Sequence, residues 1–373
     1  MASYSDILDG YRQEGRLRQI PGQRATDILD FSSNDYMGIA SDKALVEEFL
    51  STDSCRSFTS AASRLLCGEQ QEYEAFEAWL AKQYGRPALL FNSGYHANVG
   101  AMSALAIPGT AIVSDKLIHA SIIDGIRLSK APCHRFRHND VVSLRRELDK
   151  VHDESERVIV VIESIYSMDG DEAPLRDIVA LKREYPRMLL YVDEAHALGV
   201  RGDRGLGVCE ELGLLNDVDV LIGTFGKAVG SMGAFAAASE EIKLFLLNSA
   251  RSFIFSTALP PVNVAFSYFA MRKLAGMRNE RRHLADLSRT FRDGIERITG
   301  EKTVSTTQIV PLMAYSNERA MRLSKLLKER NILALPIRRP TVAAGTERLR
   351  FSLSATMTHD DIERTLCAIS DLR

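Results

Sequence analysis

The chain has 373 residues, 45% of them hydrophobic, and a formal net charge of −2. That length supports a large core and two domains, and the near balance of 47 basic against 49 acidic residues argues against non-specific binding to nucleic acid or a membrane surface. No apolar stretch approaches the roughly 18 residues that span a bilayer.

In chain order, residues 1–30 read as a helical arm followed by a loop around Pro21-Gly22. The segment is polar with scattered arginines and has no apolar signal-peptide core, so a cytoplasmic protein is expected. Residues 72–83 place Tyr73, Phe76, Trp79 and Leu80 on one side of a helix, as core residues. From about residue 87 to 240, apolar runs at 88–91, 111–114, 158–163, 188–193 and 218–223 alternate with helical stretches. That alternation predicts a mainly parallel α/β sheet.

After Pro260-Pro261 the pattern changes. Two long helices are expected, then a strand at 309–315, a helix at 317–331 and strands at 332–337 and 348–354. A last helix opens at Thr358 with Asp361 closing a capping box. The expected organisation is an arm (1–40), a large α/β domain (41–261) and a smaller α+β domain (262–373). The five cysteines form no C-x-x-C pair and read as reduced thiols. Cys133, His134 and His138 lie close in sequence, but no second ligand cluster completes a tetrahedral set, so no metal is expected.

In an open parallel sheet, ligands bind outside the carboxyl ends of the strands. The run 158–163 ends at Glu163 and leads to Ser167. The run 188–193 ends in Asp193-Glu194-Ala195-His196, and the run 218–223 leads to Thr224-Phe225-Gly226-Lys227. A lysine at a buried strand end is poorly solvated, which favours the neutral amine that forms a Schiff base with a carbonyl. The run 88–91 passes through Asn92-Ser93-Gly94-Tyr95 into a helix, and a glycine at such a turn exposes backbone N–H groups to an anion. A lysine, a carboxylate and an anion cradle match the needs of pyridoxal phosphate. The D-E-A-H string at 193–196 also occurs in nucleic-acid helicases. That reading needs a P-loop; Leu221 stands where its first glycine would fall, and Ala228 follows the lysine.

With these residues in view, the chain resembles the α-oxoamine synthase family of fold-type I pyridoxal-phosphate enzymes over nearly its whole length. The resemblance runs in order through Asn34-Asp35-Tyr36-Met37-Gly38, Phe91-Asn92-Ser93-Gly94-Tyr95, the segment 114–121 containing His119, His138-Asn139-Asp140, Ser167-Met168-Asp169-Gly170-Asp171, the segment 192–196, and Thr224 to Lys227. It implies a large, mainly parallel seven-stranded-type sheet domain with a smaller α+β C-terminal domain, working as a homodimer with shared active sites.

The resemblance also implies roles. Lys227 holds the cofactor, Asp193 pairs with its ring nitrogen and His119 stacks on the ring. His196 and Ser167 serve the phenolic oxygen side or the substrate. Thr224, with the backbone of Gly94 and Tyr95, takes the phosphate, and Glu163 lies near the cofactor through bridging contacts. In the segment 251–257, Ser256 and Thr257 reach the neighbouring subunit's phosphate. Arg350 grips the amino-acid carboxylate, where a bidentate guanidinium suits, and Arg18, Asn34 and Thr341 contact substrate.

The family condenses an amino acid with an acyl thioester and releases carbon dioxide. Residues 337–350 and Arg18 are most similar to the member that joins L-alanine to a pimeloyl thioester, on CoA or a carrier protein, on the route to biotin. Sister members use glycine with acetyl or succinyl thioesters, or serine with a palmitoyl thioester. Two segments depart from the family: 57–64 lacks the usual glycines, and Gly230-Ser231-Met232-Gly233 follows the lysine.

Overall fold

The computed structural model describes residues 3–372 except 19, 21, 23–26 and 53–56. Part of the loop expected around Pro21-Gly22 lies outside the described residues, and so does Cys55. The chain packs as two compact units.

The larger unit comprises Asp35–Ser167 and Glu172–Arg281. Its sheet contains β1 (Ala88–Phe91), β2 (Thr110–Asp115), β3 (Cys133–Phe136), β4 (Arg157–Glu163), β5 (Met188–Asp193), β6 (Val220–Thr224) and β7 (Ala234–Ala238). The spatial order is β1-β7-β6-β5-β4-β2-β3. All neighbours run parallel except β7, which is antiparallel to both β1 and β6. Most of these strands are buried along their whole length, which is why they read as continuous apolar runs rather than alternating ones. The register pairs Glu163 with Asp193, so two carboxyl groups end adjacent strands side by side.

Helices Gly94–Leu105 and Ala120–Ser129 pack against each other and bury Ala97, Ala101, Met102, Ile122 and Ile126 in one cluster with Ile159, Val161 and Ile222 of the sheet. Gly125 permits the close approach: a Cβ there would lie 2.8 Å from Met102 Cβ and 2.9 Å from the Asn98 carbonyl oxygen.

The smaller unit comprises Met1–Asn34, Met168–Asp171 and Arg282–Arg373. Its sheet has β8 (Ile309–Met313), β9 (Leu335–Ile337) and β10 (Arg348–Ser352), antiparallel with β10 in the middle. The two-residue strands Leu29–Asp30 and Ile332–Leu333 pair in parallel. Phe31, Phe291 and Phe351 pack against one another at centroid distances of 5.1–5.6 Å, Phe31 stacked on Phe291 and edge-on to Phe351, and centre its core. Helix Tyr4–Gln13 opens with a Ser3/Asp6 capping box, and helix His359–Ser370 with the expected Thr358/Asp361 box.

The division between units falls at Arg281/Arg282 rather than after Pro261. Helix Pro261–Gly276 belongs to the larger unit because Tyr268 stacks on Phe76 at 5.5 Å and meets Trp79 at 5.9 Å. Met1–Asn34 groups with the smaller unit, where Leu29 pairs with Ile332.

Candidate active site

The carboxyl ends of the sheet strands gather the predicted chemistry of the larger unit. Lys227 lies half-buried on the loop that joins β6 to β7. The loop is held shut by Phe225 N–H to Gly233 O (2.9 Å), Ser231 N–H to Phe225 O (2.9 Å) and Gly230 N–H to Lys227 O (2.9 Å). Gly230 and Gly233 have positive φ, and a Cβ on Gly230 would meet Ala40 N at 2.6 Å. These constraints account for the glycines that follow the lysine.

Asp193 ends β5 and is almost fully buried. Its Oδ1 accepts the Ala195 N–H (2.8 Å) and its Oδ2 accepts an Asn98 amide N–H (2.7 Å). Glu163, beside it at the end of β4, is equally buried. Burial pushes its carboxyl pKa well above the ordinary value. The neighbouring Asp193 charge adds to that rise, while Lys227 and a hydrogen bond from the His119 backbone N–H oppose it. Glu163 Oε1 is buried with no hydrogen-bond partner among the described residues.

His119 is the N-cap of helix Ala120–Ser129, and its Nδ1 accepts the Ser121 N–H at 3.2 Å. The ring keeps solvent exposure, yet surrounding protein lowers its pKa. Asp193 and Asp124 pull that value up and Lys227 pushes it further down. His196 lies buried three residues after Asp193, hydrogen-bonded through Nδ1 to the Tyr36 hydroxyl at 2.7 Å.

The turn after β1 and the end of β6 form a close-fitting pair. Ser93 caps helix Gly94–Leu105, and a Cβ on Gly94 would lie 3.3 Å from both Cβ and Oγ1 of Thr224. Thr224 Oγ1 also accepts the Gly226 N–H at 3.3 Å. Beside this turn, Asn92 Nδ2 donates to Ser256 Oγ (2.8 Å) and Thr257 O (2.6 Å), which brings those two residues to the end of β1. Tyr95 is half-exposed and donates its hydroxyl to Asp124 at 2.7 Å. Ser167 is half-buried at the end of the segment that leaves β4.

The smaller unit brings together its own predicted set. Arg350 on β10 is buried and donates to Asn34 Oδ1 (3.1 Å) and Ser352 Oγ (2.6 Å). Arg18 donates to Thr341 Oγ1 at 3.0 Å.

This chain is similar along its length to proteins of one kind. The model of the aminotransferase class I and II family matches residues 26–369. The chain belongs to that family. A Pasteurella multocida protein provisionally named 8-amino-7-oxononanoate synthase is 45% identical over 99% of this chain and 98% of its own length. The 8-amino-7-oxononanoate synthase of Haemophilus ducreyi is 43% identical over 92% of this chain and 91% of its own. A solved serine palmitoyltransferase from S. paucimobilis, with a pyridoxal-phosphate adduct of myriocin bound, is 32% identical. It covers 92% of this chain and 87% of its own, with a TM-score of 0.85. Within the family the chain is an α-oxoamine synthase, a pyridoxal-phosphate-dependent acyltransferase of fold type I.

The residues present fit that cofactor. The space at Gly94 and Thr224 that a Cβ would fill suits a phosphate at a helix N-terminus. A buried carboxylate ends β5, an amine stands on the next loop, and Glu163 Oε1 is left for a bridging contact. The D-E-A-H string has a different explanation here. Glu194 accepts Ser164 Oγ–H (2.5 Å) and the N–H groups of Val208 (3.0 Å) and Cys209 (2.7 Å), so it is a buried clamp on its own loop. Among the described residues no group of His, Cys, Asp and Glu gathers as a metal site; His138 instead binds Asp115 at 2.9 Å. No described helix is long and apolar enough to cross a membrane.

Sequence reasoning did not single out Asn98, Ser121, Tyr191, Asn92 or Tyr36 as functional. Asn98 and Tyr36 lie in segments that carry the family resemblance or adjoin one, which was the signal available. Their partners are 95 and 160 residues away in sequence, so no local pattern points to them.

Proposed function

We propose that this enzyme condenses L-alanine with a pimeloyl thioester to give 8-amino-7-oxononanoate, carbon dioxide and the free thiol, in the route to biotin. The reading is supported above all by the 43% identity to the named Haemophilus ducreyi enzyme over 92% of the chain. Pyridoxal phosphate, when bound, supplies an electron sink for the charge left at the amino acid's α-carbon.

The chain's own residues would do the rest. Lys227 Nζ would hold the cofactor and would serve as the base that takes the α-proton. Asp193 keeps a proton on the ring nitrogen. His119 is the ring's aromatic partner, with a pKa lowered by the surrounding protein, and is suited to donate a hydrogen bond. His196 and Ser167 serve the phenolic oxygen side, and Glu163 acts through a bridging contact. Gly94, Tyr95 and Thr224 take the phosphate. Arg350 grips the alanine carboxylate, with Arg18, Asn34 and Thr341 completing substrate contacts. A homodimer in the cytoplasm, with Ser256 and Thr257 completing the second subunit's phosphate site, fits the exposed Phe58, Leu66 and Phe255 and the four free thiols among the described cysteines.

The test is a panel of glycine, alanine and serine against acetyl, succinyl, pimeloyl and palmitoyl thioesters, with products identified by mass. Alanine with pimeloyl should turn over fastest. A faster serine–palmitoyl reaction, the alternative favoured by the likeness to serine palmitoyltransferase, would move the enzyme to that sister activity.

A further inference from the structure

Three buried side chains outside the predicted set form one hydrogen-bonded chain into it. The Tyr191 hydroxyl donates to Asn98 Oδ1 at 2.7 Å. Asn98 Nδ2 donates to Asp193 Oδ2 at 2.7 Å and to Ser121 Oγ at 3.0 Å. Ser121 Oγ lies 2.7 Å from His119 Nδ1. Tyr191, Asn98 and Ser121 are at most 2% exposed.

The directions of these bonds follow from the chemistry. A carboxylate only accepts, so the Asn98 edge facing Asp193 must be its NH₂. That places Oδ1 toward Tyr191, which can only satisfy it by donating. Turning the amide over would set an acceptor against a buried carboxylate and leave the tyrosine hydroxyl without an acceptor. Ser121 Oγ accepts from Asn98, so its own proton is left for His119 Nδ1. The Ser121 backbone N–H reaches the same nitrogen at 3.2 Å. Two donors converge on Nδ1, and the neutral ring therefore carries its proton on Nε2.

We infer that Asn98 is a positioning residue for Asp193 and His119 at once: its two amide N–H groups hold Asp193 Oδ2 and Ser121 Oγ, and Ser121 passes the constraint to His119 Nδ1. Asn98 stands one helical turn after Gly94 on helix Gly94–Leu105. The helix whose first turn offers an anion cradle thus also orients the carboxylate and the imidazole. The functional weight of this arrangement rests on the roles proposed above for Asp193 and His119.

The test reads the imidazole nitrogens directly. Nitrogen-15 spectra of the His119 ring, assigned by their loss in His119→Gln, are recorded at one mildly alkaline pH for the holoenzyme and for the cofactor-free full chain. Wild type should show a single neutral ring protonated on Nε2. Asn98→Ala should move the His119 signals by way of the Ser121 hydroxyl, and the move should vanish in a Ser121→Ala background. Ser121→Thr, which keeps the hydroxyl, should preserve the wild-type spectrum. In parallel, Asn98→Ala should slow solvent exchange of the alanine α-hydrogen by roughly tenfold or more while the alanine KM moves little, as expected of misplaced groups rather than lost binding.

If Asn98→Ala does not fold, Tyr191→Phe, which removes the donor to Asn98 Oδ1 and so loosens the hold on the amide, takes its place in the same cycle. His119 signals that stay put in a folded Asn98 or Tyr191 variant, or that move equally without the Ser121 hydroxyl, overturn the inference. Failure of the substrate assignment would show separately, as a different preferred pair in the thioester panel with the nitrogen spectra unchanged.

Discussion

The Tyr36 hydroxyl lies 2.7 Å from His196 Nδ1, and both residues are buried. His196 follows the carboxylate at the end of β5, while Tyr36 comes from the segment that opens the larger unit. With Nδ1 engaged, the ring's remaining donor or acceptor is Nε2 alone. The tyrosine therefore anchors the orientation of the imidazole.

Tyr36→Phe should cost about 1 kcal/mol of stability, the typical net value of a buried hydrogen bond. It should reduce turnover more than it raises the alanine KM, because the ring of His196 loses its anchor and not its binding groups. Thermal melting and initial rates check both parts. A variant with wild-type turnover would remove the anchor's role in the reaction.

Lys227→Ala should abolish the condensation and the visible absorbance of covalently held cofactor, while the protein stays folded. The side chain is only half-buried, and the loop around it is held by backbone bonds among Phe225, Lys227, Gly230, Ser231 and Gly233. Absorbance and thermal melting of the purified variant are the measurements. Turnover at the wild-type rate would contradict the assignment of the amine.

Gly94→Ala should weaken phosphate-bearing cofactor binding by roughly tenfold or more, about the loss of one charge-assisted hydrogen bond. The added methyl would press on Thr224 at 3.3 Å, in the space offered to the anion. The fold should survive, since the position is the first turn of a capped helix. Equilibrium titration with pyridoxal phosphate checks it, and unchanged affinity would place the phosphate elsewhere.

Much of the sheet was legible because its strands are fully buried apolar runs closed by polar residues: β1 and β5 lie where the sequence put them, and β6 is displaced by two residues or fewer. Two strands were not. Ala234–Ala238 is four alanines and a phenylalanine, a composition with weak strand preference that becomes a strand only through pairing with both β1 and β6. Cys133–Phe136 is an edge strand with exposed residues, so no apolar run marks it. The placement of Glu163, Asp193 and Thr224 at strand ends was readable from order alone. The Asn98 and Tyr36 contacts required the fold, because burial and proximity across many residues have no local signature.

Glu163 should make stability depend on pH in a definite direction. Its folded pKa is raised well above the ordinary carboxyl value, so the folded chain binds the proton more tightly than the unfolded chain. Stability is then highest below the unfolded pKa and declines as pH rises through the folded one. His119 contributes the opposite slope below its ordinary value of 6.5, because its folded pKa is lowered. The difference between wild type and Glu163→Gln isolates the glutamate. In the cofactor-free protein, Glu163→Gln should gain stability relative to wild type as pH rises from 5 to 8, read from urea midpoints. A difference that is flat with pH would mean that Glu163 titrates alike in both states.

Arg350→Lys should raise the alanine KM by roughly 10- to 100-fold, the range of a lost charged hydrogen bond. The guanidinium is buried on β10 and already oriented by Asn34 Oδ1 and Ser352 Oγ, both of which bind its Nη1. A planar guanidinium suits the two oxygens of a carboxylate in one plane. A lysine at the same place is shorter, has no fixed plane and would be drawn to the same two oxygens. The loss should appear in KM first, because a carboxylate grip holds substrate and transition state alike. Initial rates against alanine concentration at saturating thioester make the measurement. A KM within about twofold of wild type would assign the carboxylate to another group and leave the chemistry at Lys227 and Asp193 untouched.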